Sequence, residues 1–384
     1  MGRLGDIKRS LQRKLIDKYD PLRTAWSRRN EIKKFQDPRR IAIWSKVNLT
    51  AEQEKQIDDF YLTNYGEKIP HTWHRHFTAF TGNFDYQYFP ELLYIPEFEH
   101  FMNRDARYFQ VFSDKNVLPL IASGVGVKTP NVILSCTNGI FRNENYKLIT
   151  EHDALNLLTH SGEVFAKPSV DSCSGVGCEV ISTDSREEAR ELFRRLGSDF
   201  VIQERLKCHS DLAAIYSGSV NTFRVISYIW NDRIKICPVI LRIGQGGKYL
   251  DNAHAGGMFI AVDNDGTLHD TAFTEFNTQF KKHPDTGLKF EGWKIHMFPK
   301  VLEAAKRIHE AIPQVGVVNW DFTLDENGNA VLMEGNMRGG SIWLIEMSHG
   351  KAVFGDDTAE ILQWTRRMKK LPLSERMKTV IGRP

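Results

Sequence analysis

Asp321 and Glu334 are the two residues in this sequence best spaced to hold a hard cation. They flank Asn327-Gly328 between two β-rich runs, VVNWDFTL and AVLMEGN. Asn-Gly at such a place is a strong hairpin signal, because both central residues of a type I′ turn need positive φ. With a two-residue turn, Glu326 faces Asn329. Counting outward then sets Asp321 opposite Glu334 and Asn319 opposite Asn336. Strand side chains alternate, so these four polar groups share one face, and Val318, Trp320, Phe322 and Leu324 point to a core. Like charges directly opposed on a strand pair are destabilising. A divalent cation would offset them, and Mg²⁺ takes carboxylate and amide oxygens together with phosphate oxygens and water. The competing reading is a solvated polar face on an edge hairpin.

Basic residues at strand and helix ends point to an anion. Val164-Phe165-Ala166 reads as a short strand that Lys167 ends and Pro168 breaks. The loop SVDSCSGVG follows, with Ser174, Gly175 and Gly177 inside it, and a second strand runs from Cys178 to Ile181. Glycines there let backbone N–H groups approach phosphate oxygens while Lys167 supplies charge. The pattern is not the P-loop, which needs GxxxxGK[ST] before a helix. Lys115 is expected in the first turn of a helix. That is an unfavourable place for a cation unless an anion sits beside it. Arg224 and Arg242 lie in two core-like runs on either side of Asn231-Asp232. Buried arginines need anionic partners, either acidic side chains or a bound phosphate or carboxylate. Between the second run and the next strand, GQGGKYLDNAHAGG has the composition of a lid.

The elements that must carry these residues are α/β in texture from Val111 onward. Helices are expected over 185–197 and 298–311, with strands around Phe200 to Ile202 and on both sides of the two turns. Residues 1–60 read as charged and helical, with Leu4, Ile7, Leu11 and Leu15 at helical spacing and Pro21 and Pro38 as breaks. Residues 60–110 are dense in aromatics. The run His71 to Phe77 offers His71, His74 and His76 as metal ligands, but core packing or an acceptor pocket fits that density better. Three domains follow: 1–110 helical and aromatic-rich, 111–200 and 201–384.

At 384 residues the chain is long enough for several domains, and its net charge of +3 excludes little. Residues 1–40 hold thirteen Lys and Arg against five Asp and Glu. Such a leader is either a solvated amphipathic helix or a peripheral contact with an anionic surface. No recognition fold for nucleic acid accompanies it. There is no apolar h-region at the start and no stretch of transmembrane length. Five scattered cysteines with no CxxC spacing fit a reducing cytoplasm.

Taken in order, Lys115, Lys167 with its loop, Gln203-Glu204-Arg205-Leu206, Asn221-Thr222-Phe223-Arg224, Asn252-x-His254-x-Gly256-Gly257, Trp320-Asp321 and Met333 to Asn336 resemble the ATP-grasp superfamily. The resemblance covers roughly residues 111–350 and is nearest to the sugar-transfer-associated group, linked to polysaccharide assembly. It implies an ATP-grasp fold, two α+β subdomains clasping ATP behind the helical N-terminal domain. It also implies site roles. Lys115 and Lys167 would contact ATP phosphates, with Ser174 and Gly175 in the loop above them. Gln203, Glu204 and Leu206 would form the adenine-reading hinge, and Asp211 would hold the ribose. Arg224, Arg242, Asn252 and His254 would be the catalytic set, and Asp321, Glu334 and Asn336 would hold Mg²⁺. The NxHxGG string also resembles the branch that adds glutamate to a protein's C-terminal carboxylate. That branch has an arginine two residues before the loop asparagine; here the position is Leu250, with Lys248 as the nearest replacement.

The implied activity is an ATP-dependent carboxylate–amine ligase working through an acyl phosphate. Its partners would be a small-molecule carboxylate, for which a sugar acid is the candidate, and an amine. The alternatives are a kinase acting on a hydroxyl and a non-catalytic nucleotide-binding protein.

Overall fold

The computed structural model describes residues 3–170 and 176–384. Two antiparallel sheets organise the chain from Val132 onward. The first contains β1 (Val132–Thr137), β2 (Ile140–Asn143), β3 (Leu148–Ile149), β4 (Glu163–Pro168), β5 (Glu179–Ser182) and β6 (Phe200–Glu204), in the order β3-β2-β1-β6-β4-β5. Helices Glu151–Thr159 and Arg186–Leu196 cover it. The first starts in a capping box made by Thr150 and Asp153. In the second, the Ser185 side chain accepts from the Glu188 N–H, and Gly197 ends the helix. Leu155, Leu158, Leu192 and Phe200 pack between helices and strands.

The second sheet contains β7 (Thr222–Trp230), β8 (Arg233–Ile236), β9 (Val239–Ile243), β10 (Met258–Val262), β11 (Leu268–Phe273), β12 (Gln279–Phe280), β13 (Val317–Leu324) and β14 (Ala330–Asn336). Its order is β12-β11-β10-β9-β7-β13-β14, with β8 paired to β7. β13 is therefore an interior strand, and every one of its residues is buried. The run from Ile234 to Gly244 does not stay one strand. It breaks at Cys237-Pro238 into β8 and β9, both of which pair with β7.

One face of this sheet, with Phe223, Val225, Val318 and Trp320, packs on helix Phe298–Glu310. Ile226, Tyr228 and Ile240 on the other face join an aromatic layer built from residues 35–102 and the C-terminal helices Trp343–His349 and Thr358–Lys370. Trp73, Phe77, Tyr88, Tyr94 and Phe98 are each at most 1% exposed in that layer. The N-terminal region and the C-terminal end thus share one core.

Two local expectations are corrected, and for the His71–Phe77 run the packed reading is the one observed at His74 and His76. Helix Arg3–Lys34 runs straight through Pro21, and Leu15 is 67% exposed rather than part of a packed stripe. Lys115 is not in a helix. It lies in the turn between helices Ala106–Ser113 and Leu118–Gly124, and its N–H donates to Ser169 O at 2.9 Å. His74 and His76 are buried among aromatic rings, where desolvation lowers both to about 3. His71 lies elsewhere, 2.9 Å from Asp58.

Candidate active site

The hairpin reaches the expected pairing by a different route. The Asp325 carboxylate accepts from the N–H of Asn327 at 3.0 Å and of Asn329 at 2.8 Å. This pulls the turn closed one residue early. Gly328 N–H donates to Asp325 O, and Leu324 pairs with Ala330. Of Asn327 and Gly328 only the glycine takes positive φ, +72°. The loop is thus the three-residue kind, not type I′. A bulge at Met333 then removes the one-residue offset, so that Asp321 faces Glu334 and Asn319 faces Asn336.

What offsets Asp321 is arginine. Asp321 is 2% exposed. Its Oδ1 accepts from Arg224 Nε at 2.7 Å and its Oδ2 from Arg224 Nη2 at 3.3 Å, and Oδ2 lies 3.0 Å from Arg242 Nη2 in an ion pair. Burial pushes the Asp321 carboxyl up, but Arg224 and Arg242 outweigh it and hold it below the usual range. Burial likewise disfavours the Arg242 cation, and Asp251 and Asp321 outweigh that too. Arg242 also donates to Thr222 Oγ1 at 2.6 Å, and Thr222 N–H donates to Asp251 at 3.0 Å. Asp321 is ionised and paired without any cation from solution.

Glu334 is more open, with a side chain 33% exposed. Its Oε2 lies 3.7 Å from Lys115 Nζ, and its Oε1 accepts from Asn336 Nδ2 at 3.3 Å. Glu334 and Asn336 suit a hard cation, and Asp321 keeps lone-pair capacity beyond its three N–H contacts. Asn319 does not join them. It is fully buried against Gly340, where a Cβ would collide with its amide.

Facing this cluster across a cavity of about 870 Å³ is the first sheet. Lys167, on β4, is 4% exposed. Burial and the neighbouring Lys115 lower its ammonium to about 8, against a smaller upward pull from Glu334. Cys178 lies in the same wall. Gln203, Glu204 and Leu206 line the cavity further along, and Gln203 Oε1 is buried with no hydrogen-bond partner among the described residues. Asn252 and His254 close the other side.

Not every expected residue arrives. Ser174 and Gly175 lie outside the described residues. Asp211 does not line the cavity. Its carboxylate accepts from His296 N–H at 3.0 Å, and its carbonyl from Trp293 Nε1. Lys248 donates to Ala255 O within the same loop, and Leu250 stands at the position of the absent arginine.

Several residues were not legible in the sequence. Glu275 Oε2 sits 2.7 Å from His254 Nδ1, while Arg40 Nη2 donates to Glu275 Oε1 at 2.9 Å. Arg40 also lies 3.7 Å over the Trp343 ring. Glu99 accepts from Gly339 and Gly340 N–H, and Glu91 from Ser341 Oγ and Trp343 N–H. Among the described residues, no cavity-lining side chain precedes Lys115. The aromatic region acts from behind, by holding the lining loop 338–343. Only long-range pairing reveals these roles, and no local motif marks Arg40, Glu91 or Glu99.

A family model described as sugar-transfer associated ATP-grasp matches residues 95–361. No curated protein matches the chain. Among solved structures, D-alanine–D-alanine ligase from Bacillus anthracis is 16% identical, covering 70% of this chain and 69% of that one, with TM-score 0.38. L-amino acid ligase from Bacillus licheniformis is 14% identical, covering 70% and 50%, with TM-score 0.37. N5-carboxyaminoimidazole synthetase from Staphylococcus aureus, complexed with ADP, is 14% identical, covering 60% and 46%, with TM-score 0.37. The chain spans about half the length of the solved structures first matched, 46% for each of two synthetases.

Proposed function

This chain belongs to the sugar-transfer-associated ATP-grasp family, and from that membership we propose that it is an ATP-dependent carboxylate–amine ligase. One observation above all supports the reading. Lys167 is buried beside a second lysine and lowered to about 8, a state that a polyphosphate in the cavity would relieve. The residues fit ATP and Mg²⁺. Lys115 and Lys167 would meet the phosphates. The Gln203–Leu206 segment would read adenine, and the buried Gln203 Oε1, which accepts from none of the described residues, would accept from its amine. Glu334, Asn336 and the spare lone pairs of Asp321 would hold Mg²⁺, which neutralises phosphate charge when bound. Residues 111–200 and 201–384 would be the two halves that clasp the nucleotide, with residues 1–110 behind them.

In the reaction a substrate carboxylate oxygen attacks the γ-phosphorus. The bond to the β–γ bridging oxygen breaks, and ADP leaves with the electron pair. Carboxylates need no base for this step. The amine nitrogen then attacks the acyl carbon, phosphate departs, and the nitrogen gives up a proton. His254, seated on Glu275, is the base for it. Arg224 and Arg242 hold negative charge on the transferring group, so the protein's work is positioning and electrostatics. The carboxylate we assign to a sugar acid in polysaccharide or sugar-conjugate assembly, following the family's description.

A screen of sugar acids against amino acids, reading ADP release and product mass together, tests this. ADP release that needs both substrates, with a product one water lighter than their sum, is expected. ADP release with a hydroxyl compound alone, and a product heavier by a phosphoryl group, would make the protein a kinase.

A further inference from the structure

Helix Arg3–Lys34 is mounted with its polar side inward. Asp17 accepts from Ser374 N–H at 2.8 Å. Asp20, 4% exposed, lies 2.6 Å from His100 Nε2 and also pairs with Arg376. Arg28 donates to Glu97 at 2.6 Å and to Tyr65 OH at 2.7 Å. Hydrogen bonds and ion pairs thus fix the helix to the body. Its outward side carries Leu15, Tyr19, Leu22 and Trp26, spaced four, three and four residues apart on one helical face. They are 67, 66, 65 and 66% exposed. A surface helix of a water-soluble domain is built the other way round, with its apolar stripe on the core. Here the contacts of Asp17, Asp20 and Arg28 prevent the helix from rolling to hide that stripe.

The chemistry of the stripe selects its occupant. Tyr and Trp suit a boundary between apolar and polar phases, and Leu15 and Leu22 suit acyl chains. Lys18, Arg29 and Lys33 are exposed on the same helix. Over residues 1–40 the balance is thirteen basic against five acidic, a net of +8. A second copy docking on this face would bring like charges together, whereas phosphate-bearing headgroups would neutralise them. No helix among the described residues is long and apolar enough to cross a membrane. We propose that this face lies on an anionic bilayer surface, with Tyr19, Leu22 and Trp26 dipping into the headgroup boundary and the basic residues on lipid phosphates. The proposal does not depend on the ligase reading, since the stripe takes no part in the cavity.

Sedimentation of the full chain with vesicles tests it, using phosphatidylcholine alone and phosphatidylcholine mixed with phosphatidylglycerol. The expected result is co-sedimentation with the mixed vesicles only, weakening as salt rises. Tyr19→Ser/Leu22→Ser/Trp26→Ser should bind about tenfold more weakly or worse while melting close to the parent's temperature, because the three side chains are about two-thirds exposed. Brominated lipid should quench emission in the parent more than in Trp26→Phe. Three results would overturn the proposal: no binding to either vesicle, binding unchanged in the triple variant, or concentration-dependent self-association that the triple variant abolishes without any vesicle binding.

Discussion

Asp321 and Glu334 sit opposite one another and yet face different tasks. Asp321 is the counter-ion for two largely buried guanidiniums, whereas Glu334 is a third exposed and touches one lysine. Their amide variants should therefore differ. Asp321→Asn leaves Arg224 and Arg242 without their shared anion and should destabilise the apo protein by about 3–5 kcal/mol. Glu334→Gln removes only a part-exposed charge and should change apo stability by less than about 1 kcal/mol. Under the proposed ligase reading both should lower turnover by about a hundredfold or more, because each would remove charge organisation at the transferring phosphoryl group. Melting curves and turnover on the same two variants check this, and equal melting losses would refute the division of labour. The sequence shows the two acids and both arginines as residues needing partners. It does not show that they partner each other, because Arg224 meets Asp321 through the β7–β13 pairing, across nearly a hundred residues.

At the scale of elements, the hairpin shows how local chemistry shifts a register. Asn327-Gly328 does mark a turn, but the Asp325 side chain closes it a residue early and Met333 bulges to compensate. The facing of Asp321 and Glu334 was legible, while the bulge was not, since it follows from the early closure of the turn by the Asp325 side chain. The lid is the other element with consequences. Residues 244–257 are held by polar contacts to the body, among them Gly246 N–H to Asp285 at 2.7 Å, Thr222 N–H to Asp251 at 3.0 Å and His254 Nδ1 to Glu275 at 2.7 Å. Their amides should exchange fast in the apo protein and slow on adding a nonhydrolysable ATP analogue with Mg²⁺. Protection already strong and unchanged by ligand would mean a rigid structural loop. His254 leaves that lid for Glu275, which Arg40 holds from the N-terminal region. Glu275→Gln should lower kcat about tenfold to a hundredfold, with KM for ATP little changed. A kcat unchanged at every pH would remove His254 as the base.

For the whole molecule, the shared core ties stability to acidity. Burial pushes Glu91 and Glu99 up to about 7, against a downward pull from the backbone N–H groups they hold on the loop before Trp343. Both are raised above their unfolded values. The stability they contribute is therefore complete below about 4.5 and is lost as pH rises through 7. The loss is on the order of 3 kcal/mol for each carboxyl. The apo melting temperature should fall between pH 5 and pH 8, and Glu99→Gln should flatten part of that fall. A melting temperature that rises over this interval in the parent would contradict it. The α/β architecture and the family were legible from the ordered lysines, glycines and acids. The N-terminal role was not, because its effect on the cavity is carried by Glu91, Glu99 and Arg40 acting on residues more than two hundred positions away.

Lys167 gives the account its most direct test, because burial has lowered it to about 8 from 10.5. The folded protein favours its neutral form, so the cost of charging it is present in full below pH 8 and disappears as pH rises toward 10.5. ATP phosphates would restore the charge, and binding at pH 8 should take up about half a proton. The measurement is calorimetric titration of ATP with Mg²⁺ at pH 8 in two buffers of different ionisation enthalpy, on the parent and on Lys167→Ala. The account predicts binding by the parent with proton uptake, and weaker binding without uptake by a folded variant. Absence of ATP binding to the parent, or equal affinity and equal proton uptake in both proteins, would contradict it.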